Sequence, residues 1–268
     1  VSSDLQSFLA FLEEQKAKHS SRFPTVKHEK VLSFMATTSL PGSHAAVSVN
    51  RLRRLEPGAS PRELRMTLGG PLSRPPKPGE CVTVHMTRVE QYQGYQVKTR
   101  PLSPGLTGAD LVEETPGGLV VKGAQIFTVH HSPYTLKFFE NVPFEDLEDV
   151  IGGLAYALVA VGETANVSPR FVFHHEVSGA SLALYHGDGL ALKTYMNLKA
   201  NKHETRLVLD LDDYSGFLLR GVVDEFAPHQ HPEAYERICQ GFSAGSWGKP
   251  SRVFRFVPQA IERIAPRG

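Results

Sequence analysis

Cysteine is nearly missing from this chain, with only Cys81 and Cys239 in 268 residues. Two thiols build no disulfide framework, and such sparse use fits a reducing compartment. An excess of one charge is missing as well. Lys and Arg number 29 against 28 Asp and Glu, a net of +1, so there is no electrostatic case for nucleic acid as a partner. The small basic cluster Arg51-Leu-Arg-Arg54 reads as a solvated strand end or loop. Long apolar runs are lacking. The longest, Leu154-Ala-Tyr-Ala-Leu-Val-Ala-Val161, falls far short of the roughly 20 residues that span a bilayer, so no membrane partner is expected. Val1-Ser-Ser-Asp4 shows no basic region followed by an apolar one, and the chain reads as soluble and cytoplasmic. GxGxxG, P-loop and CxxC patterns do not occur, which leaves dinucleotide-fold and thioredoxin-type sites unsupported. The remaining composition, 41% hydrophobic and 21% charged, is ordinary for globular domains.

What the sequence does contain is a repeat. Ala36-Thr-Thr-Ser-Leu-Pro-Gly-Ser-His-Ala45 lies against Ala160-Val-Gly-Glu-Thr-Ala-Asn-Val-Ser-Pro169, an offset of 124. Gln91-Tyr-Gln-Gly-Tyr-Gln-Val-Lys98 lies against Asp213-Tyr-Ser-Gly-Phe-Leu-Leu-Arg220, an offset of 122, and Pro133-Tyr-Thr-Leu-Lys-Phe-Phe139 against Pro258-Gln-Ala-Ile-Glu-Arg-Ile264, an offset of 125. Three separated matches in register predict a tandem duplication. The period exceeds the roughly 20–50 residues of solenoid repeats, and each copy has the size of a domain.

Each half is expected to open with a helix. Ser3-Asp4 can cap Leu5, Phe8, Leu9 and Leu12, and Pro143-Phe-Glu-Asp-Leu-Glu-Asp-Val-Ile151 is the counterpart. Strands are expected at 31–37, 45–51, 64–68, 80–89 and 95–100, then at 156–161, 170–177, 181–186, 205–211, 217–225 and 253–257, where β-branched residues alternate between Gly and Pro turns. Gly187-Asp-Gly189 and Tyr214-Ser-Gly216 read as turns, and Pro232–Gln240 as a further helix. Short strands joined mostly by hairpins predict a mainly β fold with peripheral helices, a small closed antiparallel barrel in each half. Gly70-Pro-Leu-Ser-Arg-Pro-Pro-Lys-Pro-Gly79 stands where the second half has a helical segment, so the copies diverge there.

Several motifs weigh little. Gly241-Phe-Ser-Ala-Gly245 matches GxSxG, but that elbow needs a strand before the Ser and a helix after it, the reverse of the order expected here. His130-His131, His174-His175 and His229-Gln-His231 lack a convergent third ligand, and adjacent histidines on a strand point to opposite faces, so no metal site is expected. Asn166-Val-Ser168 is a sequon by letter alone. Lys193, beside Thr194 at the start of a short helix, could grip a phosphate, because donors and the positive dipole end gather there, although on this feature alone a solvated lysine is the better reading.

The ordered set from Leu154 to Ile264 resembles the flavin-binding split barrels related to pyridoxamine 5'-phosphate oxidase. The residues that carry it are Leu184-Tyr-His186, Lys193 in a short helix ending Asn197-Leu-Lys-Ala-Asn201, Arg206-Leu-Val-Leu-Asp210, Arg220-Gly221, and Ser246-Trp-Gly-Lys-Pro-Ser-Arg-Val-Phe-Arg-Phe-Val-Pro258. The resemblance implies two tandem split β-barrels forming a pseudo-dimer, residues 1–141 the diverged copy and 142–268 the cofactor-binding copy, with FMN held non-covalently between them. It implies phosphate contacts from Lys193, with His186 and Thr194 beside it and Asn197 on the same helix. Pro169, Arg170, Phe171 and Val172 would run along the isoalloxazine edge, Trp247 and Arg252 would stand near the ring, and Gln93 or Gln96 would reach over from the first half. His186 departs from the small hydroxyl residue the family often places there. Chemistry would be the flavin's, a hydride or electron transfer with a small-molecule substrate or electron donor. No acid or base stands out; Arg255 and Tyr195 are the candidates. A non-catalytic flavin carrier, haem binder or redox sensor is the alternative, with His174-His175 making haem conceivable, and a barrel pair that only binds partners is a third. Pairing into a homodimer is left open. The proline-rich segment of the first half predicts one flavin per chain, not two.

Overall fold

The computed structural model describes residues 3–19, 31–38, 44, 46–57, 63–68, 81–88, 93–99, 112–115, 118–122, 124–130, 155–159, 166–170, 174–189, 192–209, 215–244 and 248–265. Phe171, Val172, Trp247, the proline-rich segment 70–79 and the helix expected at 143–151 lie outside the described residues.

Two antiparallel-rich sheets and three helices make up the described chain. The first sheet is built from β1 (Val31–Thr38), β2 (Ala46–Pro57), β3 (Glu63–Leu68), β4 (Cys81–Arg88), β5 (Gln93–Thr99), β6 (Val112–Thr115), β7 (Gly118–Lys122) and β8 (Ala124–His130). Its strand order is β6-β7-β3-β2-β1-β4-β5-β8. The second is built from β9 (Ala155–Val159), β10 (Asn166–Arg170), β11 (His174–Ser178), β12 (Ser181–Asp188), β13 (His203–Leu209), β14 (Gly216–Glu225) and β15 (Arg252–Ile264). Its order is β10-β9-β13-β14-β15-β12-β11. The helices are α1 (Ser3–His19), α2 (Leu192–Ala200) and α3 (Pro232–Ala244). The fold is mainly β with peripheral helices, as the alternation of short strands and turns predicts.

The two sheets share an order over five strands. β2-β1-β4-β5-β8 in the first corresponds to β10-β9-β13-β14-β15 in the second. The starts of matched strands differ by 124 for β1 and β9, 122 for β4 and β13, and 123 for β5 and β14, close to the offsets of the repeated motifs. Contacts divide the chain into two compact units, one of Val1–Thr25, Ser132–Ala157 and Ser168–Pro266, the other of Val26–His131, Leu158–Val167 and Arg267–Gly268. The opening helix therefore belongs with the later strands. Leu5 and Phe8 on α1 are buried, and the Phe8 and Phe11 rings each lie edge-on to Phe217 at 5.3 Å.

In the unit that contains α2 and α3, β12 is buried on both faces from Leu182 to Asp188. α3 covers one face. Its Ala234, Ile238 and Phe242 recur every four residues, the spacing of a single helical stripe, and pack on Ala183, Tyr185, Phe226 and Val253. Pro232 and Glu233 at its start suit the donor-rich, positive end of a helix. Gly187 is a strand residue, not part of a turn. A Cβ there would stand 2.6 Å from Phe242 and 2.7 Å from Ile238, so the absence of a side chain lets α3 approach. Gly221 has a comparable cause. β14 shifts register against β15 between Arg220 and Gly221, and a Cβ would lie 2.1 Å from the Val257 carbonyl oxygen. Of the strand expected at 170–177, Arg170 ends β10 and residues 174–177 lie in β11, at the opposite end of the sheet order; 171–173 lie outside the described residues.

Candidate functional site

β12, α2 and the start of β15 assemble the neighbourhood that the sequence motifs single out. Asp188 pairs with Arg252 and His186 with Phe254 across β12 and β15. α2 follows β12 after a short connection, with Lys193 and Thr194 in its first turn and no acidic residue there. Its end is fixed by Asn201, whose N–H donates to the Asn197 carbonyl at 2.8 Å while its Oδ1 accepts the His203 N–H at 3.0 Å, turning the chain into β13. Tyr195, in the middle of the helix, receives the Arg252 guanidinium on its ring at 3.7 Å. Asn197 is 1% exposed, and both its Nδ2 and Oδ1 are buried without a hydrogen-bond partner among the described residues. Such an amide costs free energy unless something pairs with it, and it offers one donor group and one acceptor.

Behind this surface lies a buried ionic cluster. Glu204, Arg206 and His186 are at most 1% exposed. Glu204 and Arg206 stand two apart on β13, hence on one face, and the Arg206 Nε donates to Glu204. A terminal nitrogen of Arg206 donates to His186 Nδ1 at 2.7 Å, and the guanidinium lies over Phe256 at 4.3 Å. His186 stacks on Phe254 at 5.1 Å and 23°. Because its Nδ1 accepts a hydrogen bond, the imidazole carries its proton on Nε2.

A cavity of about 490 Å³ opens between α2 and the end of β14, lined by Leu198, Val223, Phe226 and Phe254 with Tyr195 at one side. Two ion pairs cross its rim, Lys199 to Glu225 at 3.3 Å and Lys202 to Asp224. Glu225, then Tyr195, hold the Lys199 ammonium charged above its ordinary value.

On the α3 face, the Tyr185 hydroxyl donates to Glu176 Oε2 at 2.6 Å and sits 3.3 Å from His231 Nδ1. His174 approaches Glu176 at 3.6 Å. Burial first, then the bond to Glu176, push the Tyr185 hydroxyl up to about 12 from 10.0.

Of the residues expected around a cofactor, the structure brings the α2 positions, His186 and Arg252 into one neighbourhood. His186 is a core residue there, facing Arg206. Pro169 and Arg170 lie on β10, with four strands between it and β12 in the sheet order. Gln93 and Gln96 lie on β5 of the other unit. Of the two acid–base candidates, Tyr195 is the seat of Arg252 and Arg255 stands beside Tyr185. Ser243 of the GxSxG match is inside α3, not on a strand-to-helix elbow. Among the described residues no three His, Cys, Asp or Glu are grouped to hold a metal, and no helix is long and apolar enough to cross a membrane. Sequence reasoning missed Glu204, Tyr185, Glu176 and the cavity residues Phe226 and Phe254. The one signal available was the charged Glu204-Thr-Arg206 opening an otherwise apolar strand.

No family model matches the sequence, and no curated protein matches it. Solved structures do. HupZ of Group A Streptococcus is 15% identical, covering 47% of this chain and 99% of its own, with a TM-score of 0.35. An FMN-binding protein from Syntrophomonas wolfei is 20% identical, covering 48% and 88%, with a TM-score of 0.34. A Clostridium acetobutylicum protein of the pyridoxinephosphate oxidase family, related to a general stress protein of B. subtilis, is 11% identical, covering 42% and 79%, with a TM-score of 0.33.

Proposed function

We propose that this chain is a duplicated split barrel that binds FMN non-covalently through its second copy, acting as an oxidoreductase on a small substrate. The observation that carries this is Asn197. Its buried amide has no hydrogen-bond partner among the described residues, and it stands one turn beyond Lys193 on a helix whose first turn has no acidic residue. A helix start of that kind favours a phosphate, and an unpaired donor and acceptor suit the polar edge of a flavin. The residues therefore fit the group. Lys193 and the α2 amides would hold the phosphate, Asn197 would pair with a polar edge, and Tyr195 would keep Arg252 oriented by stacking. The buried Glu204–Arg206–His186 cluster stiffens the strands beneath. When bound, the flavin would supply acceptance and release of a hydride or an electron. The five-strand order common to both sheets, with three of the five strand starts offset by 122 to 124, supports duplication.

Lys193→Ala tests the site. Loss of one charge-assisted hydrogen bond should weaken FMN at least about tenfold, since about 1.4 kcal/mol lies within the strength of such a bond. Titration of the apoprotein with FMN reads this out, and unchanged affinity removes Lys193 from the site. A non-catalytic flavin or haem binder is the second reading. The partly buried histidines that face Tyr185, His174 and His231, favour keeping it, and the absorption spectrum of the isolated protein separates flavin from haem.

A further inference from the structure

We draw no further inference here: the strongest candidate, the side-chain cluster of Glu176, Tyr185 and His231 between β11, β12 and the start of α3, pairs its polar atoms with one another, and nothing among the described residues points to a ligand for it.

Discussion

Tyr185 shows how one residue ties burial to pH. Its hydroxyl is pushed up to about 12 by burial and by the bond it donates to Glu176, so the folded state resists ionisation that the unfolded chain undergoes at about 10. A raised folded value means the contribution to stability is complete below pH 10.0 and is lost as pH rises through about 12. Tyr185→Phe should accordingly flatten the alkaline fall of stability over that window, read from denaturant midpoints at successive pH values. A variant curve parallel to that of the wild type would contradict the assignment. Residues of this kind were poorly legible in the sequence. Glu204-Thr-Arg206 reads as the charged start of a half-exposed strand, and only the approach of His186 and Phe256 from two other strands makes its charges a buried cluster. Breaking such a cluster from one side is costly because it strands a buried charge. Lys193, Asn197 and Arg252, the residues proposed for the cofactor, stand out in the sequence because a motif carries them, whereas Phe226 and Phe254 are ordinary core letters until α2 and β14 leave a cavity beside them.

At the scale of elements, helices with one apolar stripe were the most readable. Ala234, Ile238 and Phe242 announce α3, and Leu5 with Phe8 announces α1, though nothing local tells which strands α1 will meet. The strand ends were harder. Gly187-Asp188 has turn composition, yet it continues β12 because α3 needs the space that a glycine leaves. Two rings of α1, Phe8 and Phe11, pack against the single ring of Phe217. Phe217→Ala should cost about 3 kcal/mol, at the lower end for a buried phenylalanine, and should raise amide exchange in residues 3–19 more than in α3. Equal protection of α1 in the variant would show that other contacts hold the helix.

For the whole molecule, the repeat near 124 residues was legible because its motifs recur in register, and the shared order β2-β1-β4-β5-β8 and β10-β9-β13-β14-β15 supports the proposed duplication. What the repeat does not convey is how the two halves differ. One carries α2 with Lys193 and Asn197 between β12 and β13. The other carries a proline-rich segment between β3 and β4, and proline offers no N–H to an anion and resists a helix. A symmetric pair of barrels would present two equivalent grooves, so on the proposed reading this divergence predicts one flavin per chain. The most direct test is the flavin released on denaturation per polypeptide, measured by absorbance against protein concentration after reconstitution with excess FMN and removal of the unbound fraction. A ratio near one is the predicted result. A ratio near zero would contradict the flavin assignment, and a ratio near two would contradict the asymmetry between the copies.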